Sequence, residues 1–387
     1  MSFTLSARRL YTPLQKVEYP LVAIEDSRIV ALSSRESRAL TQGDRLVDLG
    51  DAILVPGFID AHIHGGAGHD VMEAGADALA AVERFLFRHG VTSYFPTTVT
   101  APADLILAAL ERLARSIEAS AAAHEPKRAR PLGIHLEGPF LSHVRRGVHP
   151  PECLLPPTLE MFERFWQAGR GHIKIMTIAP ELEGAREVIA EAARRGVCVS
   201  VGHSDAGLQA TRDAVAAGAR HATHTFNAMR PLGHRDPGIL GEVLTDARLT
   251  AEVIADGVHV DPVVVELFLR LKGAEGAVLV TDATAATGMP DGRYRLGSLE
   301  VEVREGKCMA GGKLAGSVLT LDRAVRNVMT FAHCDLQQAV RLATLNPARL
   351  TGNAASRGQL AEGSLADIVA LNPRGEVLTT IAGGQIG

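Results

Sequence analysis

Hydrophobic and polar positions change rhythm twice along this chain. Over residues 1–55 apolar and polar residues alternate in short runs, "FTLSARRLYTP", "PLVAIEDSRIVALS" and "DRLVDLGDAILVPG", with polar turns between them. A period of two marks half-buried strands. The C-terminal stretch "GSLADIVALNPRGEVLTTIAGG" has the same texture. The middle is different. Eight apolar runs, at 57–64, 92–99, 131–138, 172–180, 196–204, 221–229, 249–259 and 276–286, are separated by helical periodicity, as in "ADALAAVERFLFRHG", "PADLILAALERLARSIEASAAAH" and "EGAREVIAEAARRG". Two more helices are predicted at about 317–334 and 335–345. The endings "RHG", "RRG" and "AAG" put glycine where a left-handed helix cap is wanted.

Eight successive strand–helix units predict an α/β chain folded as a (β/α)8 TIM-type barrel rather than a doubly wound sheet, although strand order is not written in the chain. The two terminal segments, 1–55 and 350–387, are expected to pair into one small β-sandwich domain beside a barrel of residues 56–349. Residues 288–315, "GMPDGRYRLGSLEVEVREGKCMAGGKLA", read as a hairpin-bearing insertion near the barrel mouth.

Composition narrows the class. The chain has 387 residues, 46% of them hydrophobic, enough for a large core. A net charge of −4 gives no general attraction to nucleic acid or anionic membranes. The four cysteines, Cys153, Cys198, Cys308 and Cys334, are widely spaced and form no Cys-x-x-Cys pair. That argues against a disulfide frame and a thiolate metal site, and for a reducing cytoplasm. The start lacks the apolar segment of a signal peptide, and no run approaches the roughly 18 apolar residues of a membrane span.

Chemistry gathers at the strand ends. In "PGFIDAHIHGGAGHD" His62 and His64 are two residues apart on a strand, so both imidazoles face one side. In such barrels the chemistry sits at the C-terminal ends of the strands. Those ends carry His62 and His64 on the first strand, Glu137 on the third, His203 on the fifth, His224 on the sixth and Asp282 on the eighth. Any one alone reads as a hydrogen-bonded polar residue; six together read as a metal cage. Nitrogen and carboxylate donors without thiolate suit Zn²⁺, and also Fe²⁺, Co²⁺ or Mn²⁺.

The run "PGFIDAHIHG" resembles the amidohydrolase superfamily. "HLEGPF", "GHSDA", "HTFNAM", "ADGVH" and "TDATAATG", in order between about residues 53 and 350, resemble its N-acetylglucosamine-6-phosphate deacetylase family. That resemblance implies metal-dependent hydrolysis of the acetamide of N-acetylglucosamine-6-phosphate, giving glucosamine-6-phosphate and acetate in amino-sugar catabolism. It implies Glu137, His203 and His224 as the core metal ligands, with His62 and His64 matching a pair that supports a second ion in some members. One or two ions per subunit are therefore open. By the same resemblance Asp282 is the catalytic acid/base and His149 polarises the acyl oxygen. Asn227 and Ala228 hold the phosphate, and His259 contacts the sugar. Arg235 reaches the phosphate of a neighbouring subunit's site in a homodimer.

Three other readings stand beside this one. A dihydroorotase- or hydantoinase-type cyclic amidase would need a carboxylated lysine on the fourth strand, where Lys174 is the candidate. N-acetylgalactosamine-6-phosphate differs from the gluco sugar at one hydroxyl, and no residue reads that difference. A non-catalytic sugar-phosphate sensor would use the metal only for structure, which leaves Asp282 without a task. Arg230, Arg145 and Arg146 read as solvated charges before they read as phosphate ligands.

Overall fold

The computed structural model describes residues 2–37, 45–73, 75–122 and 127–386. Asp44 and residues 123 and 124, at the edges of predicted elements, lie outside them. Eight parallel strands carry the middle of the chain: β1 (Phe58–Ile63), β2 (Val91–Pro96), β3 (Ile134–Glu137), β4 (Ile173–Ile178), β5 (Cys198–Val201), β6 (His221–Ala222), β7 (Thr250–Val253) and β8 (Ala277–Leu279). β1 pairs with β2, and β3 to β8 form one sheet in chain order. Parallel bridges from Thr97 to His135 and from Ile63 to Ala283 join the two pieces at both edges. Every residue of β1, β2 and β3 is buried, as expected where helices cover a parallel sheet and the strands read as continuous apolar runs.

A helix follows each strand, at Ala76–Arg88, Ala103–Ala122, Leu159–Ala168, Ala185–Arg194, Leu208–Ala217, Gly238–Thr245, Pro262–Gly276 and Leu321–Ala332. The first of these buries Leu79, Val82, Phe85 and Leu86, one apolar stripe at helical spacing. Its chain turns back at Gly90, where φ is +80° and an added Cβ would meet the Phe58 ring at 2.9 Å. Only glycine satisfies both the left-handed turn and that close packing. Gly196 and Gly218 also have positive φ at the predicted helix ends.

The terminal segments meet. Ile53–Pro56 pairs antiparallel with Ile368–Leu371, more than three hundred residues on, inside a six-stranded sheet. A second, four-stranded sheet holds Ser2–Ser6, Pro20–Glu25, Arg28–Ser34 and Leu46–Asp48. Phe3, Leu5, Val22, Ile24 and Ile29 of this sheet share one apolar cluster with Leu10, Leu54, Ile368 and Ile381 of the other.

The predicted insertion is an antiparallel sheet of Gly292–Leu296, Leu299–Arg304, Lys307–Ala310 and Lys313–Leu314. Among the described residues no helix is long and apolar enough to cross a membrane.

Candidate metal centre at the strand ends

The strand-end side chains converge. His62 and His64 leave β1 on one face, and Glu137 is the last residue of β3. His203, His224 and Asp282 follow β5, β6 and β8 by two or three residues, and each has positive φ, at 46°, 25° and 50°. Non-glycine residues in that region cost about 1–3 kcal/mol each and persist only where neighbours hold them. Here they are held: Asp282 N–H donates to His62 O at 2.9 Å, Ser317 N–H donates to Asp282 O at 2.7 Å, and His224 N–H donates to Glu252 Oε2 at 2.9 Å. The turned backbone aims each side chain at a common point.

Three atoms form a near-equilateral triangle. His203 Nε2 and His224 Nε2 are 3.0 Å apart, and Glu137 Oε1 is 3.3 Å and 3.2 Å from them. Donors bound at about 2.0–2.1 Å to one ion, and about 90–110° apart, lie about 2.9–3.4 Å from each other. The triangle has that size. A second group adjoins it: His62 Nε2 and His64 Nε2 are 3.3 Å apart, with Glu137 Oε2 3.3 Å and Asp282 Oδ1 3.1 Å from His64 Nε2.

Tautomers agree with this fit. His64 Nδ1 lies 3.1 Å from Thr97 O and His203 Nδ1 lies 3.1 Å from Arg145 O. Carbonyl oxygens only accept, so both Nδ1 atoms carry the proton and both Nε2 atoms present lone pairs. His62 Nδ1 likewise donates to Glu252 Oε2 at 3.0 Å. Lone pairs that face one another about 3 Å apart beside a carboxylate are what a cation requires; a divalent metal fits this donor set. Charge points the same way. Burial pushes His64 down, but Asp282 and Glu137 outweigh it and raise the imidazole, so these carboxylates draw positive charge to Nε2, a demand that a bound cation meets in place of a proton. Burial pushes Asp282 up, yet His62 and His64 beside it outweigh that and lower its carboxyl.

His149 has the opposite character. Its Nδ1 accepts from Thr100 N–H at 3.3 Å, which puts the ring proton on Nε2, 3.9 Å from Glu137 Oε2. Burial, reinforced by His203, pushes this imidazole down to about 3, so it stays neutral and can donate into the site.

His64, Glu137, His149, His203, His224 and Asp282 line a cavity of about 230 Å³ with Asn227, Ala228 and His259, while His62 lies fully buried behind them; the insertion contributes Leu296 and Leu314 to the wall. His259 is oriented by Asp256, whose Oδ2 accepts from Nδ1 at 2.7 Å. A larger groove of about 450 Å³ between the first two helices holds none of these histidines. Arg235 is exposed on the 231–237 loop and does not line the cavity. Arg230 pairs with Asp236, and Arg145 pairs with Asp205 at 2.7 Å. Lys174 donates to Gly171 O at 3.2 Å and lines a different surface groove, so the lysine that a cyclic amidase needs is not at this site.

Sequence reasoning missed Glu252, His135 and His221 beneath the cavity. All three are fully buried. A charged residue alone in the apolar strand "TAEV", and a histidine two positions before Glu137, were the available signals.

Comparison with known proteins agrees with this geometry. The amidohydrolase family profile matches residues 53–387. The chain is 40% identical to an N-acetylglucosamine-6-phosphate deacetylase of Lysinibacillus sphaericus, over 86% of this chain and 85% of that protein. It is 39% identical to an N-acetylgalactosamine-6-phosphate deacetylase of Escherichia coli O157:H7, over 96% of each. Among solved structures, a mutant N-acetyl-D-glucosamine-6-phosphate deacetylase from Mycobacterium smegmatis, in complex with N-acetyl-D-glucosamine-6-phosphate, superposes with a TM-score of 0.93. The two are 36% identical, covering 100% of this chain and 99% of that one. The chain belongs to the amidohydrolase family.

Proposed function

We propose that this protein is a divalent-metal-dependent deacetylase of N-acetylglucosamine-6-phosphate, releasing acetate and glucosamine-6-phosphate. The observation that carries the proposal is the triangle of Glu137, His203 and His224 with an ionised carboxylate, Asp282, and a neutral donor, His149, on the same cavity. Glu137, His203 and His224 would hold the ion, and His62 and His64 supply donors for a second. Zn²⁺ matches the nitrogen and carboxylate set. When bound, the metal supplies a nucleophile from water near neutral pH and polarises a carbonyl.

The chain's own groups do the rest. Asp282 takes the proton from the attacking water and delivers it to the departing sugar nitrogen, so the amine leaves neutral. His149 donates its Nε2 proton as a hydrogen bond to the acyl oxygen as that oxygen gains charge, a contribution of about 3–4 kcal/mol. Asn227 and Ala228 are assigned to hold the phosphate, and His259, fixed by Asp256, to contact the sugar; that all three line the cavity supports the assignment. Because Arg235 stands outside the cavity of its own chain, we assign it to the site of a second subunit in a homodimer. The enzyme is placed in the cytoplasm, in keeping with its free cysteines.

We read the parallel strands as a closed (β/α)8 barrel over 56–349, a reading supported by the two edge bridges. The terminal segments, 1–55 and 350–387, are read as one β-sandwich, supported by the apolar cluster their sheets share.

Acetate release from N-acetylglucosamine-6-phosphate, its galacto isomer and unphosphorylated N-acetylglucosamine tests the substrate. Fast turnover of the gluco phosphate is expected, and turnover independent of phosphate would overturn the assignment. The galacto isomer is the second reading, because a relative that spans 96% of each chain bears that name; preference for it would replace the first.

A further inference from the structure

Glu252 lies at the centre of β7, directly below the candidate metal centre, with none of its surface exposed. It does not line the cavity, so it cannot touch a substrate there. Its carboxylate nevertheless reaches two of the five candidate ligands. Oε2 accepts from His62 Nδ1 at 3.0 Å and from the backbone N–H of His224 at 2.9 Å. Oε1 accepts from His221 Nε2 at 3.1 Å, a side chain that is itself fully buried.

We propose that Glu252 is the positioning residue of the metal centre, tying the His62 ring and the His224 backbone to one buried carboxylate. This rests on the metal-dependent reading above. The bond to Nδ1 fixes the proton there and leaves Nε2 of His62 as the donor facing Glu137 Oε1 at 3.6 Å and Asp282 Oδ1 at 3.5 Å. An anion behind the ring also makes that nitrogen a stronger donor. The bond to His224 N–H holds a residue whose φ of 25° is costly for any side chain. One carboxylate thus serves the pair from β1 and the ligand that follows β6. Chemically this is a carboxylate–histidine relay feeding a metal, with a backbone strut added.

The test is Zn²⁺ affinity by chelator competition on the full-length wild type, Glu252→Gln and Glu252→Ala. Glutamine keeps a carbonyl oxygen for His62 and His224 but loses the charge; its amide then faces His221. Loss of a partner that orients a metal-bound histidine costs about 10–100-fold in affinity. Glu252→Gln is expected near the tenfold end and Glu252→Ala near the hundredfold end. With limiting Zn²⁺ kcat falls, excess Zn²⁺ restores it, and KM for N-acetylglucosamine-6-phosphate does not move. A merely structural glutamate would shift melting without that metal-dependent recovery. A folded Glu252→Gln protein with wild-type Zn²⁺ affinity would overturn the proposal, and if the alanine variant fails to fold the glutamine variant decides. Wild-type protein that binds no Zn²⁺ would instead overturn the metal reading itself.

Discussion

Asp282→Asn separates proton transfer from metal binding. The carboxyl is buried, yet His62 and His64 beside it favour the ionised form and hold it below the usual carboxylate range. Asparagine keeps its shape and leaves an oxygen near His64 Nε2, where Oδ1 now lies at 3.1 Å, but it cannot take a proton. Neighbouring groups are poor substitutes. Glu137 is engaged by His64, His203 and His224, and His149 has already spent its lone pair on Thr100 N–H. A general acid–base group is worth about 10²–10⁴ in rate, or about 3–5 kcal/mol of barrier. The expected result is a kcat for acetate release lowered by that factor, with KM and bound Zn²⁺ retained. A kcat within about tenfold of wild type would refute the proton role and pass it to another cavity group such as His259.

Three further outcomes follow from the same geometry. At Gly138, directly after Glu137, φ is +72° and a Cβ would sit 2.1 Å from Thr100 Oγ1, so Gly138→Ala is expected to displace the carboxylate and weaken Zn²⁺ binding; unchanged affinity in a chelator titration would contradict it. Phe165 is fully buried against Phe140, and Phe165→Ala should cost about 3–5 kcal/mol by urea denaturation while leaving metal content intact; a cost below 1 kcal/mol would contradict the packing. Burial pushes Asp322 up, but hydrogen bonds from His89, Thr320 and Arg326 outweigh it and hold the carboxyl at about 2. Because that value is depressed, its stabilisation of about 2–3 kcal/mol is complete above the unfolded pKa of about 3.9 and fades as pH falls toward about 2. The stability gap between wild type and Asp322→Asn should therefore narrow by about half from pH 6 to pH 3, and a gap independent of pH would contradict it.

Much of the site was legible because period and punctuation are local. His62 and His64 share a face by strand geometry alone, and Glu137 closes an apolar run. The sixth strand shows the limit. Its run of nine residues predicted a long strand, yet β6 stops after His221–Ala222, because His224, Phe226 and Ala228 all take positive φ, which turns the backbone out of the strand and brings His224 and Ala228 to the cavity. Function overrides strand propensity there. The groups that set the tautomers were invisible for another reason: Thr97 O and Arg145 O are backbone atoms brought in from other segments. Glu252 was silent because a lone acid in an apolar strand does not name its partner; only the folded chain brings His62 and the His224 backbone to it. His149, Asn227 and His259 rested on resemblance, and the cavity gathers them. Arg235 rested on it too, and the fold leaves it on an exposed loop.

Side chains from distant parts of the chain meet at one point, and the proposed cleavage of the acetamide depends on a divalent cation held there. The most direct measurement is acetate release from N-acetylglucosamine-6-phosphate by protein stripped with a chelator, then by the same sample after Zn²⁺ is returned. Activity should vanish on stripping and recover on addition. Full activity in protein shown by elemental analysis to carry no metal would contradict the account.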